Sequence, residues 1–229
     1  MEEFTKKYFK NRNSNLKLAN NRYQLALREI DTIEVIFSKH ISSYGKTSDF
    51  SISKMNIIDI GSGDQFLKAP ILERGANYTG IDIDTCNFEE ETLPYESNSF
   101  DMVICLAVLE HLRDPSLLIQ ECKRVLKKGG LMMFSTPNIN FCGHDFWNDP
   151  THIRPYNQIS IRKLFEMFEL KKISVYPNLR KKKKIFYGEN KIYFRIAKWL
   201  FFFPGSSSKL IPYFLKGSAL GLFILCTNE

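Results

Sequence analysis

Residues 55–84 read MNIIDIGSGDQFLKAPILERGANYTGIDID, and this stretch decides the fold. MNIIDI is a run of apolar residues suited to a buried strand, Gln65–Arg74 has helical spacing, and NYTGIDI reads as a second strand. Asp59-Ile60-Gly61-Ser62-Gly63 lies where the first strand turns into the helix. Glycines suit that place because the backbone must turn tightly and approach a bound nucleotide more closely than a Cβ allows. Asp82 ends the second strand, 21 residues after Gly61. A carboxylate there accepts hydrogen bonds from ribose hydroxyls. Taken alone, the pair also suits an ordinary strand-to-helix turn with an exposed aspartate. A dinucleotide fingerprint G-x-G-x-x-G is disfavoured, because its third glycine position holds Phe66.

Working outward, the alternation continues. FDMVICL (Phe100–Leu106) reads as a strand, Pro115–Leu126 as a helix and GLMMFST (Gly130–Thr136) as a strand. Asp114-Pro115 is a helix-start signal, and Gly129-Gly130 follows the helix end. Ile159–Phe168 reads as a helix, Lys171–Tyr176 as a strand and Ala219–Thr227 as the final strand. Strand and helix in alternation argue an α/β fold with a doubly wound, mostly parallel sheet. Upstream, apolar positions from Leu16 to about Ile41 recur at helical spacing, and Ser42–Ser53 is rich in turn formers. The expected organisation is an N-terminal helical extension and linker over 1–53 and a catalytic domain over 54–229. Within the latter, 177–218 is a lid-like basic and aromatic insertion.

The chain has 229 residues and a net charge of +7, which at first resembles a nucleic-acid signature. Its distribution says otherwise: residues 160–216 hold 14 Lys and Arg against 3 Asp and Glu, leaving 18 against 22 elsewhere. The positive charge thus belongs to one late segment on a mildly acidic domain. Five cysteines without a C-x-x-C pair fit a reducing, cytoplasmic interior, and a chain of this length needs neither disulfides nor a structural metal to fold. The opening MEEFTKKYFKNRNSN lacks an apolar leader core, and no run approaches the roughly 20 apolar residues of a transmembrane helix.

The segment LPYESNSFDMVICLAVLEHLRDPSLLIQECKRVLKKGGLMMFSTPN (Leu93–Asn138) adds a set of motifs: Leu-Pro-aromatic, Ser-Phe-Asp opening a strand, Leu-Glu-His-Leu after it, and Arg-Val-Leu-Lys before Gly-Gly. With the Asp59–Gly63 turn, these resemble the class I S-adenosylmethionine-dependent methyltransferases of the small-molecule and saccharide kind, type 11-like, over about residues 55–175 and the last strand. The resemblance implies a Rossmann-like, mostly parallel seven-stranded sheet with an antiparallel last strand. It also implies S-adenosylmethionine as cofactor. Asp59, Gly61, Ser62 and Gly63 would hold its methionine part, Asp82 with Ile83 its ribose, Glu89 or Glu90 its adenine, and Leu106 with His111 would flank the sulfonium. The chain departs from the family pattern at Gln65, where a third glycine is usual, and at Lys128, where a proline is usual. Only about ten residues separate Asp82 from the Leu93-Pro94 turn, where the larger family fits a helix and a strand.

Methyl transfer is an in-line displacement, so the protein must align a nucleophile and, for a hydroxyl, remove its proton. The base should come from segments after the fourth and fifth strands of the family pattern, since ligands of open α/β sheets sit beyond the carboxyl ends of strands. Candidate catalytic groups are His152, His111 and Asp145, with His152 the first choice as general base because a histidine titrates near working pH. The plainer alternative is that Asp-Pro-Thr-His forms a turn and His152 holds the loop. Cys142, His144, Asp145 and His152 match no metal-site spacing, so no metal is expected.

In the insertion, Lys191, Arg195 and Lys198 alternate with aromatic and aliphatic residues beside the Arg180–Lys184 run. Two readings stand: a lid over the acceptor pocket, or contact of 180–203 with an anionic membrane surface. The second would place a cytoplasmic protein at the inner face of a membrane. Nucleic acid is disfavoured because the insertion's aromatics are not interleaved with the basic run. The expected activity is O-methylation of a small-molecule, sugar or glycolipid acceptor. Its alternatives are N-methylation, RNA or protein methylation, and a cofactor-binding module without turnover.

Overall fold

The computed structural model describes residues 7–8, 19–45, 50–178 and 221–229. Its elements in chain order are α1 (Ala19–Ser42), β1 (Asn56–Ile60), α2 (Lys68–Glu73), β2 (Asn77–Ile81), β3 (Phe100–Leu106), a 3-10 turn at Leu109–His111, and α3 (Ser116–Val125). They continue with β4 (Leu126–Pro137), a one-turn α4 (Ile139–Cys142), a 3-10 segment at Gly143–Asn148, α5 (Gln158–Met167), β5 (Lys171–Asn178) and β6 (Gly221–Thr227). The strands form one sheet in the order β2-β1-β3-β4-β6-β5. β1, β2, β3 and β4 run parallel, whereas β6 runs antiparallel to both β4 and β5.

Each central strand is buried on both faces, and the two-residue period of strands sorts its side chains between two cores. Ile57, Met102, Ile104 and Met133 point to one side, where Ile30, Ile33, Ile36 and Phe37 of α1 and Ile71 of α2 cover them. Ile58, Ile60, Val103, Cys105, Met132 and Phe134 point to the other, against Leu118, Ile119, Cys122 and Val125 of α3 and Ile161 and Phe165 of α5. The helix read from periodicity over Leu16–Ile41 is therefore one of the layers covering the sheet. Arg74 ties it down, reaching Asp31 at 2.7 Å and Glu34 at 3.3 Å.

The sheet has six strands among the described residues, where seven were expected. Beyond β2, the residues up to Leu93 form only turns, held by Thr85 and Cys86 amides donating to the Asp82 carbonyl and by Glu90 and Glu91 amides donating to the Asn87 carbonyl. About ten residues cannot supply both a helix and a strand, so β2 is the edge. The helix after β1 also starts later than its apolar spacing suggests, because Gln65 has φ +56° and the chain first makes tight turns from Ser62 to Lys68. All five cysteines are free thiols. No described helix is long and apolar enough to cross a membrane. The basic and aromatic insertion expected over 177–218 falls, apart from Pro177 and Asn178, on residues 179–220, outside the described residues.

Where α1 meets β5, His40 is buried with its Nδ1 3.0 Å from the Ser174 hydroxyl. Burial, helped by the Lys172 ammonium, pushes its pKa from 6.5 down to about 4. The folded protein thus keeps His40 neutral where an unfolded chain would protonate it. The associated stability is complete above about pH 6.5 and is lost as pH falls toward about 4. Urea unfolding midpoints of wild type and His40→Asn, measured at about pH 7.5 and about pH 4.5, should show the comparison shifting against the wild type in acid. A constant difference would contradict this placement.

Candidate active site

The carboxyl ends of β1, β2, β3 and β4 form one edge, and the loops that follow them build the site. Gly61 leaves β1 with φ +72°, and a Cβ at this position would lie 2.2 Å from the Val108 Cγ2 atom. Only glycine fits both the backbone angle and the contact. The amides of Gly61 and Ser62 donate to the Ile81 carbonyl at 2.9 and 3.1 Å. The Gly63 amide donates to Asp82 Oδ2 at 2.7 Å, and the Ile83 amide to Asp82 Oδ1 at 2.7 Å. The turn after β1 is thereby locked to the end of β2, with the Asp82 carboxylate at the junction. Beneath it, Asp59 is buried and accepts a 2.8 Å hydrogen bond from the Tyr78 hydroxyl. Burial pushes Asp59 up to about 7, with the Tyr78 bond opposing and the Asp82 and Asp64 charges adding.

Of the acidic residues after β2, Glu89 turns inward: its Oε1 accepts from the amides of Arg113 at 2.7 Å and Asp114 at 3.0 Å. Glu91 accepts from the Asn87 amide at 2.7 Å. Glu90 lines a shallow polar depression with Ile83, Thr85 and Asn87.

Leu106 is half-buried at the end of β3. Ala107 follows with φ +57°, its amide donating to the Ser135 carbonyl at 3.0 Å and hydroxyl at 3.2 Å. The chain then turns through Leu109–His111, burying Leu109 and Glu110. After β4, the Asn138 side chain accepts from the Asn140 amide and caps α4, and the Ile139 amide donates to the Tyr156 carbonyl, folding the 139–156 loop back against the end of β4. Within that loop the amides of Ile153 and Arg154 both donate to the Glu110 carbonyl, at 2.9 and 3.1 Å.

This brings His152 beside His111, ring centroids 4.8 Å apart. The His111 Nδ1 lies 3.1 Å from the Thr151 carbonyl and 3.0 Å from its hydroxyl oxygen, while the Thr151 hydroxyl itself donates to Asp149 Oδ1 at 2.6 Å. His152 Nδ1 lies 2.7 Å from the Phe146 carbonyl, and the Phe146 ring packs on the imidazole at 4.6 Å. A carbonyl only accepts, so each ring carries a proton on Nδ1. Burial works to raise the Asp149 carboxyl, but the two Thr151 bonds and the neighbouring histidines carry it below its ordinary value.

Glu110 completes the group: donor atoms of Glu110, His111 and His152 all lie within 4.8 Å of one another. Leu-Glu-His-Leu points to His111 by residue type; the signal for Glu110 is a glutamate directly after Leu109 in a segment that the fold buries. Asp145 and His144 are exposed, and Asp145 accepts from the Asn148 side chain at 3.2 Å.

A family model described as a methyltransferase domain matches residues 35–175. The ubiquinone biosynthesis O-methyltransferase of Colwellia psychrerythraea is 35% identical over 135 residues, 49% of this chain and 55% of that protein. The ubiquinone biosynthesis O-methyltransferase of Stutzerimonas stutzeri is 34% identical over 135 residues, 50% and 54% of the two chains. The chain spans about half the length of the curated relatives it matches. Among solved structures, a SAM-dependent methyltransferase of Thermotoga maritima superposes with a TM-score of 0.51 at 16% identity, covering 100% of this chain and 97% of that one. A chain from the complex of the Haloferax volcanii Trm112 methyltransferase activator with a methyltransferase gives 0.56 at 12% identity, covering 91% and 97%. At these identities the two structures speak for the fold.

Gly61→Ala should destabilise the protein by about 2–4 kcal/mol, the sum of a left-handed alanine and a forced contact with Val108. Denaturant unfolding of Gly61→Ala, Val108→Ala and the double variant checks this. Val108→Ala should relieve the contact and leave the backbone cost, so strict additivity would contradict the packing described.

Proposed function

The chain belongs to the class I S-adenosylmethionine-dependent methyltransferases, and on that premise we propose that it moves a methyl group from S-adenosylmethionine to a hydroxyl oxygen of a small-molecule acceptor. The observation that carries the reading is the direct packing of the 61–63 turn on Val108, which leads into the segment holding Glu110 and His111. A nucleotide-cradling turn and a proton-accepting cluster thus share one edge of the sheet.

The residues fit the cofactor. Gly61 and Gly63 both turn at positive φ and carry no Cβ, Asp82 sets a carboxylate at the end of β2, and the depression from Ile83 to Glu90 continues from it. When bound, S-adenosylmethionine supplies a methyl carbon made electrophilic by its sulfonium. Asp82 accepts from the ribose hydroxyls, oriented by the Gly63 and Ile83 amides, and Asp59 supports the turn from below. Ile83 and Glu90 border the base, and Leu106 the sulfonium. Glu89 holds the 113–114 backbone, so of the two glutamates weighed for adenine the role passes to Glu90.

The acceptor enters from the other side, between the cofactor edge and the imidazole pair. Its hydroxyl proton is removed by the Glu110, His111 and His152 cluster, in which each imidazole is held through Nδ1 by a backbone carbonyl. O-methylation rather than N-methylation is supported by what the relatives are named and by this cluster, which an amine acceptor arriving unprotonated would not need.

Calorimetry and S-adenosylhomocysteine formation test the assignment together. Asp82→Ala should weaken S-adenosylmethionine binding about 10- to 100-fold, from the loss of charge-assisted hydrogen bonds. His152→Ala should lower kcat about 100- to 10,000-fold with cofactor affinity unchanged. Binding that Asp82→Ala leaves intact would remove the cofactor placement, and unchanged turnover in His152→Ala would remove His152 from the chemistry.

A further inference from the structure

We propose that Arg22, carried by α1, is a positioning residue for the cofactor turn: it grips Asp64 and Phe66 and so holds Gln65, which lies between them, in a left-handed conformation. The inference deepens the methyltransferase reading and takes its purpose from it, though the grip itself stands on geometry.

The turn after β1 enters the left-handed region three times, at Gly61 with φ +72°, Gly63 with φ +54° and Gln65 with φ +56°. Glycine adopts this angle freely, whereas a residue with a side chain keeps it only where the surroundings impose it. Residue 65 carries a side chain, so the surroundings must supply that constraint. The local bonds are those of tight turns: the Gln65 amide donates to the Ser62 carbonyl at 2.8 Å, and the Lys68 amide donates to the Gln65 carbonyl at 3.0 Å. The Gln65 side chain is exposed and accepts from Lys68 Nζ at 3.3 Å.

The two residues flanking Gln65 are the ones that α1 reaches. The Arg22 guanidinium donates to Asp64 Oδ1, and the same group lies over the Phe66 ring, 5.5 Å from its centroid. One planar cation thus fixes residue 64 by charge and residue 66 by its ring face. A surface ion pair contributes little when both partners swing freely. Here both ends are anchored: Ala26, Ile30 and Ile33 continue the Arg22 face of α1 and are fully buried, and Leu67, next to Phe66, is buried in the same core. Charge adds a second reason. The Asp82 and Asp64 carboxylates both act on buried Asp59, so three acids crowd one turn. Pairing Asp64 with Arg22 limits its repulsion of Asp82, whose Oδ2 takes the Gly63 amide. The missing glycine at 65 is therefore matched by an arginine on a different element. Plain anchoring of α1 is separable from this role, because the next residue, Tyr23, donates its hydroxyl proton to Glu73 of α2 and not to the turn.

Calorimetry with S-adenosylmethionine and with S-adenosylhomocysteine, together with NMR amide exchange of Gly63 in the cofactor-free full chain, tests the grip. Arg22→Ala should weaken both ligands about tenfold. Gly63 exchange should speed up about tenfold in the same variant, as the turn loosens from Asp82. Adding Gln65→Gly to Arg22→Ala should recover most of both losses, since glycine needs no grip. Arg22→Lys, which keeps the charge without the planar fork, should fall between. Tyr23→Phe should lower the urea midpoint and leave both affinities unmoved. Equal loss for the two ligands marks a change of shape, whereas removal of a cation acting by its field alone would favour the sulfonium ligand over the neutral one. Unchanged affinities in Arg22→Ala overturn the proposal, as does a loss that Gln65→Gly leaves in place, a shift confined to the sulfonium ligand, or an equal loss in Tyr23→Phe. Wild type that binds neither ligand removes the methyltransferase reading, and Gly63 exchange then decides the grip alone. Acceleration in Arg22→Ala that Gln65→Gly reverses upholds it, and unaltered exchange overturns it.

Discussion

The contact between Gly61 and Val108 is the constraint on which the rest of the site depends. The turn after β1 and the segment after β3 approach so closely that a methyl group at residue 61 would overlap the Val108 side chain. The parallel pairing of β1 with β3 sets that approach, since both strands deliver their following loops to the same edge. Close packing converts a sheet register into a fixed relation between the backbone that cradles a cofactor and the residues that meet an acceptor.

From that contact the loops form a connected chain of hydrogen bonds. Asp82 ties the end of β2 to the glycine turn, and Glu89, farther along the same loop, ties it to the backbone at 113–114. The Glu110 carbonyl receives the 153–154 amides, and Thr151 receives His111. Three loops separated widely in sequence are thus held to one another chiefly by bonds to backbone groups, with the Asp82 carboxylate and the two imidazoles carried on the same edge of the sheet. Side chains on loops gain catalytic precision when the scaffold over-determines their positions, and here the bonds do that.

Much of the fold was legible because its signals are local. Strands buried on both faces read as apolar runs, and β3 and the last strand were found almost to the residue. The glycine turn and Asp82 were legible because a left-handed angle and a strand-end carboxylate leave distinct marks in sequence. The strand count was not, since it came from a family expectation that ten residues could not satisfy. Glu110 escaped because its role comes from a loop contributed some forty residues later, and the bracing role of Glu89 because its backbone partners at 113–114 lie 24 and 25 residues on. Asp145 stood out in sequence among His144 and His152, yet a 3-10 turn carries it outward while burying Phe146.

The central claim is that this edge joins a sulfonium cofactor to an acceptor oxygen. It is tested most directly by incubating the protein with isotopically labelled S-adenosylmethionine and an extract of small metabolites, then identifying the labelled product by mass spectrometry and carbon NMR. The account predicts a product heavier by one methylene unit with the label in an O-methyl group, absent when His152→Ala replaces the wild type. A label found on nitrogen, or no labelled product while the cofactor binds with full affinity, would contradict it.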